Sequence, residues 1–154
     1  MGVAIGVGCA EFPFSGAAAY WRWIDMCEAG GVDSIWQTDR IVGHQPFLES
    51  MTTMAALAGR TRRMRFGMNV VSLAFRDPVL LAKQCATIDV LSEGRLLPAF
   101  GIGSPLGPEW EALGVDTPDP KAWSDLMRRL LQSLEAPGAE PGAPSPRPTR
   151  RRKS

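Results

Sequence analysis

Residues 101–104 read Gly-Ile-Gly-Ser and directly follow an apolar run. Two glycines one residue apart at a strand end have two readings: a tight turn, or a backbone lying close to a bound ligand. Gly101 and Gly103 would allow a flat ring or a phosphate to approach the main chain. A dinucleotide fingerprint does not fit. In GIGSPLG the third glycine comes one place late with Pro105 in the way, and GVGCAE has no third glycine. Asp39 is the one carboxylate at a predicted strand end, and its plainer reading is an exposed loop acid or a helix cap. His44, the only histidine, falls in the next loop and reads as solvent-exposed. No metal-ligand cluster, second carboxylate or Ser-His-Asp arrangement accompanies them.

The elements that must position these residues follow from periodicity. Four β-type runs, VAIGVG, SIWQTD, RMRFGMNVV and RLLPAFGIG, start about 30 residues apart, near the length of one strand–helix unit. Between them lie helical stripes. The first carries Tyr20, Trp23, Ile24 and Cys27, with Ser15 as N-cap and Gly30 and Gly31 as the stop. The second carries Phe47, Met51, Met54, Ala55 and Ala58 and ends before Gly59. The third begins with Asp77 as cap and Pro78 in the first turn, buries Leu81, Cys85, Ile88 and Leu91, and ends at Gly94. Alternating strands and helices predict an α/β protein with a parallel sheet. The even spacing favours half of a (β/α)8 barrel over a doubly wound sheet. Pro98 counts against a central fourth strand, because it lacks the N–H the ladder needs.

In either architecture ligands bind at the C-terminal ends of the strands. That rule selects residues 6–9, 38–40, 69–72 and 101–104. Trp110, in the loop predicted after strand four, is the tryptophan best placed to meet a ligand.

The chain has 154 residues, 45% hydrophobic and 21% charged, with a formal net charge of +1. That suits one globular domain and gives no global attraction to nucleic acid or membranes. No apolar run approaches the roughly 20 residues of a membrane span. Cys9, Cys27 and Cys85 form no C-x-x-C pair and read as buried free thiols, which predicts a reducing, cytoplasmic setting.

The stretch FGMNVVSLAFRDPVLLAKQCATIDVLSEGRLLPAFGIGSPLGPEWEALGVD resembles the luciferase-like monooxygenases, the flavin- or deazaflavin-dependent barrel enzymes. The resemblance is carried by R-x-P, L-A-K, A-T-x-D-x-L-S-x-G-R, and G-x-G ahead of E-W. EAGGVDSIWQTDR and MAALAGRTRRMRFG fit the preceding units. It implies a (β/α)8 barrel, usually dimeric, binding FMN or coenzyme F420 at the strand ends and moving a hydride to or from the ring on behalf of a small organic substrate. The flavin members commonly then activate oxygen. By the same resemblance Asp39 is the catalytic polar residue beside the ring, and Asn69 and Val70 form a bulge that often carries a cis non-prolyl peptide. Gly101, Ile102, Gly103 and Ser104 form the turn that packs on the cofactor. Several F420-dependent members have Asp followed by His at strand two; here Arg40 follows Asp39.

Residues 1–117 are thus expected to form a partial barrel and 118–135 a short helix, with Leu126, Leu130 and Leu134 on its apolar face. Residues 136–154 are Pro-, Gly- and Arg-rich and are expected to be a disordered, solvated tail. The family motifs stop between residues 115 and 124, which predicts a truncated or frameshifted chain. Two functions follow: an oxidoreductase of this family, or an inactive fragment that is at most an interaction module.

Overall fold

The computed structural model describes residues 3–101, 103, 107–114, 116 and 119–135. Ile102, Ser104 and the predicted tail at 136–154 lie outside the described residues.

Strands β1 (Gly6–Cys9), β2 (Ser34–Gln37), β3 (Arg65–Met68) and β5 (Leu96–Leu97) form one parallel sheet in the order β1-β2-β3-β5. Two-residue strands β4 (Val71–Ser72) and β6 (Phe100–Gly101) form a second parallel pair. A doubly wound sheet reverses its strand order at a switch point. Here each strand of the main sheet lies beside the one that precedes it in that sheet, as in a (β/α)8 barrel. The architecture is that of the N-terminal half of such a barrel.

Predicted strands three and four are each divided. Strand three breaks between β3 and β4 at a cis Asn69–Val70 peptide. Strand four breaks between β5 and β6 at Pro98 and Ala99. Pro98 offers no N–H, so the ladder resumes only when Val71 N donates to Ala99 O at 2.8 Å. The objection raised by Pro98 therefore resolves into a two-part strand.

Helices α1 (Ala17–Ala29), α2 (Ser50–Arg60) and α3 (Pro78–Leu91) supply the apolar stripes that cover the sheet. Ile35, Phe66 and Leu96 are register partners across three strands and are all buried. Met54, Leu57, Leu81 and Ile24 meet them from the helices, and full burial of each such side chain is worth about 1.5–3 kcal/mol. Asp77 caps α3 as expected, accepting from Val79 N at 2.9 Å and Leu80 N at 3.0 Å, with Pro78 in the first turn.

Four local expectations are corrected. Ser15 is not the cap of α1; that position is Gly16, without a side-chain hydrogen bond. Helix α2 runs through Gly59 to Arg60 because tertiary packing outweighs the intrinsic cost of one glycine. Ala55 and Leu91 are exposed, since each stripe is centred slightly differently around its helix. Trp110 lies in short helix α4 (Glu109–Leu113) and is buried. The expected last helix is present as α5 (Pro120–Glu135). It packs against α3, with Leu130 buried, Leu126 half-buried and Leu134 exposed, and Arg129 pairs with Asp77 at 3.5 Å. No helix among the described residues is long and apolar enough to cross a membrane.

Arg95, the last residue of the S-x-G-R motif, fastens the N-terminal side of the sheet. Its guanidinium donates to Thr61 Oγ1, to Met64 O at 3.2 Å and to Ala58 O at 3.1 Å, and its centre lies 5.4 Å from the Phe66 ring centroid. The Ala58 carbonyl, near the end of α2, thus receives a cation where the helix dipole favours one. Replacing Arg95 with Ala is expected to cost about 2–3 kcal/mol, read as a lower urea midpoint with unchanged slope. Arg95→Lys should recover only part of it, because one ammonium cannot serve acceptors in a planar fork.

Candidate active site

A cavity of about 420 Å³ opens at the C-terminal ends of the strands. Three of the four selected segments contribute to it: Thr38, Asp39 and Arg40 after β2, Asn69, Val70 and Ser72 around the β3–β4 break, and Gly101 and Gly103 around β6. Phe75 and Glu109 complete the wall. The end of β1 does not reach it. Gly8 and Cys9 line separate clefts among Phe12, Phe14, Tyr20 and Trp23.

Asp39 sits on this wall as a fully buried carboxylate, neither an exposed loop acid nor a helix cap. Arg76 pairs with it bidentately, Nη1 to Oδ2 at 2.6 Å and Nη2 to Oδ1 at 2.8 Å. The Ser50 hydroxyl donates to Oδ1 at 2.6 Å and the Ser72 N–H to Oδ2 at 2.9 Å. An ionised carboxylate has about four acceptor sites, and here all are used. His44 is exposed and lies off the cavity.

Arg76 also donates to Glu49 Oε1 at 2.8 Å, and Glu49 caps α2 by accepting from Met51 N and Thr52 N. Partial burial pushes the Glu49 carboxyl up. Hydrogen bonds from Arg76, Thr52 and Met51 outweigh it and bring the pKa down to about 2. Burial likewise opposes the charge on Arg76, but its pairing with Asp39 and Glu49 prevails and raises its pKa.

A second ion pair crosses the cavity wall. Arg40 Nη1 lies 3.1 Å from Glu109 Oε1 and 3.4 Å from Oε2. Glu109 is 2% exposed while the Arg40 side chain is 40% exposed. Trp110 stacks edge-on against Phe75 with ring centroids 4.7 Å apart, which closes the α4 side.

The two glycines have local reasons for being glycine. A Cβ on Gly101 would lie 2.3 Å from Val70 Cγ2, and Gly103 has φ +82°. Val70, 37% exposed, occupies the space above Gly101. Of the predicted cofactor-binding residues, the structure thus brings Asn69, Val70, Gly101 and Gly103 to one cavity with Asp39.

Sequence reasoning missed Arg76, Ser50, Glu49 and Glu109. Arg76 was visible as the first residue of the R-x-P motif and Glu109 as the acid of E-W, but their partners are distant in the chain. Glu49 is an unusual cap type, so no N-cap signal marked it. The cysteines carry no obvious chemistry here: burial pushes the Cys85 thiol up to about 11, with Arg76 opposing and Asp89 adding to the shift.

The strand order is that of an α/β barrel, with a cavity at the C-terminal ends of its strands. Residues 13–146 match the luciferase-like monooxygenase family, and the chain belongs to that family. The match extends beyond residue 124, past the point at which the quoted motifs end. The chain is 34% identical over 116 residues to an F420-dependent glucose-6-phosphate dehydrogenase of Amycolatopsis mediterranei, covering 71% of this chain and 32% of the relative. It is 31% identical over 113 residues to limonene 1,2-monooxygenase of Rhodococcus erythropolis, covering 71% and 26%. The oxygenating constituent of 3,6-diketocamphane monooxygenase from Pseudomonas putida, solved with FMN, superposes with a TM-score of 0.67 at 21% identity, covering 88% of this chain and 39% of that one. The chain therefore spans between a quarter and two-fifths of the length of these proteins.

Two outcomes follow from the ion-pair geometry. Asp39→Asn should destabilise the fold by about 3–5 kcal/mol, because it leaves the largely buried Arg76 charge short of its partner. The lowered pKa of Glu49 contributes stability that is present above about pH 4.5 and is lost as pH falls through about 2. With its side chain 46% exposed, screening reduces that contribution to about 1 kcal/mol. Urea titrations between pH 6 and pH 2, comparing wild type with Glu49→Gln, should show this acid loss flattened in the variant.

Proposed function

We propose that the strand-end cavity is the ring site of a flavin- or deazaflavin-dependent oxidoreductase, binding FMN or coenzyme F420 and acting on a small organic substrate. The observation that carries the reading is the convergence of three strand ends on one cavity in a chain of this family. Its volume of about 420 Å³ falls within the usual range for small-molecule sites of roughly 300–1,000 Å³. Val70 and Phe75 offer apolar surface for a flat ring, and Thr38 and Asn69 offer hydrogen-bonding groups at its margin. These residues fit a tricyclic ring in size and chemistry.

The bound ring supplies the hydride chemistry; the protein supplies position and electrostatics. Asp39 works by positioning. With both oxygens committed, it fixes the Ser72 main chain and holds the wall formed by β4 and β6. Arg76 keeps that carboxylate in place, and Glu49 ties both to the first turn of α2. Arg40 and Glu109 add a second ion pair to the cavity wall. A catalytically inactive interaction fragment has no comparable site-level observation behind it.

Cofactor fluorescence tests the reading directly. Addition of the folded protein should quench FMN or F420 saturably, and the better of the two identifies the cofactor. Gly101→Ala should weaken that binding by about tenfold, because the new Cβ drives Val70 into the cavity. A folded protein that quenches neither compound would overturn the assignment.

A further inference from the structure

Arg40 is unevenly used. Only Nη1 contacts Glu109, spanning both carboxylate oxygens. Among the described residues, Nε and Nη2 have no partner. These two nitrogens form one edge of the guanidinium, the fork that binds carboxylates and phosphates bidentately. The residue lines the cavity and its side chain is 40% exposed, so the fork remains accessible to a ligand.

The neighbouring charges do not repel an anion at that edge. Asp39 and Glu109 are the two carboxylates on the wall, and each is already matched by an arginine, Arg76 and Arg40. An incoming oxyanion therefore meets no unpaired negative charge. Glu109 also fixes Arg40 through Nη1, which limits the rotamer freedom a long side chain would lose on binding.

We propose that Arg40 is a specificity-determining residue: its Nε/Nη2 edge receives an oxyanion, carboxylate or phosphate, carried by the small-molecule substrate. This rests on the cavity being the ligand site described above. It deepens that reading by naming a substrate class, anionic small molecules. Glu109 is then a positioning residue that acts through Arg40.

The test uses the full chain without cofactor, so its result is independent of whether a flavin binds. Arginine Nε–H signals are followed by nitrogen-edited NMR during titration with sodium phosphate, benzoate and neutral benzamide. The Arg40 signal is identified by its loss in Arg40→Lys. Phosphate and benzoate should each shift that signal saturably, and benzamide should not. The double variant Arg40→Gln/Glu109→Gln leaves no buried charge unpaired. It should bind benzoate about 10- to 100-fold more weakly, the loss of a charge-assisted contact. A non-saturating shift, equal responses to benzoate and benzamide, or full affinity in the double variant would each overturn the proposal. Riboflavin and FMN separate the two sources of the oxyanion. If the double variant loses affinity for FMN and not for riboflavin, the edge serves the cofactor phosphate and the substrate assignment fails. If both flavins bind it as they bind the wild type, the substrate assignment is supported.

Discussion

The bidentate pair between Arg76 and Asp39 holds together the part of the molecule where the strands end and the cavity opens. Asp39 follows β2, Arg76 precedes the cap of α3, Ser50 opens α2 and Ser72 lies in β4. Groups from α2, from β4 and from the approach to α3 therefore meet at one carboxylate after β2. Such a pair gains little over a well-packed apolar contact, because both ions give up water to form it. Its worth lies in geometry, since no apolar contact would fix the Ser72 N–H and the start of α3 relative to β2 in a single orientation. The cavity wall rests on this arrangement, so its shape is set by the protein's own contacts.

The opposite end of the sheet is fastened by similar chemistry. Arg95 binds the Ala58 carbonyl near the end of α2 and the Met64 carbonyl ahead of β3, and the Glu28 carboxylate accepts from the main-chain N–H groups of Arg62, Arg63 and Met64. Partial burial works against the Glu28 charge, but those N–H groups prevail and lower its pKa. The loop from α2 into β3 is thereby held by a charge on α1. With both ends pinned by ions and the middle filled by Ile35, Phe66 and their helical partners, the sheet needs no long strands. Its main ladder is at most four residues deep.

Much of this was legible in the sequence, and the reason is local. Strand–helix alternation, the Asp77-Pro78 start of α3 and the stripe through Leu81, Cys85 and Ile88 depend on residues within one or two turns of each other. Both breaks in the third and fourth strands were legible, the fourth from the chemistry of Pro98 and the third, at the cis Asn69–Val70 peptide, only through the family resemblance. What stayed hidden depends on separation along the chain. Nothing in the composition of a single segment tells that Asp39 meets Arg76, or that Arg40 meets Glu109. Asp39 stood out as an isolated acid, and the fold makes it the most heavily bonded one at the site. Ala55 and Leu91 failed for a smaller reason: a stripe drawn at helical spacing does not say where its centre lies.

The glycines at 101 and 103 show how a turn and a cavity wall can be the same feature. Gly101 is glycine because Val70 lies over it, and Gly103 because its backbone is left-handed. Neither fact needs a ligand. Yet the absence of a Cβ at 101 is what lets Val70 rest at the cavity, where more than a third of its surface remains open near the half-buried Phe75. An apolar side chain held in that position gains nothing from water and gains from any flat apolar body that covers it. The close approach suggested by the Gly-Ile-Gly sequence is therefore an approach of Val70 to the main chain, which places an apolar side chain on the cavity wall.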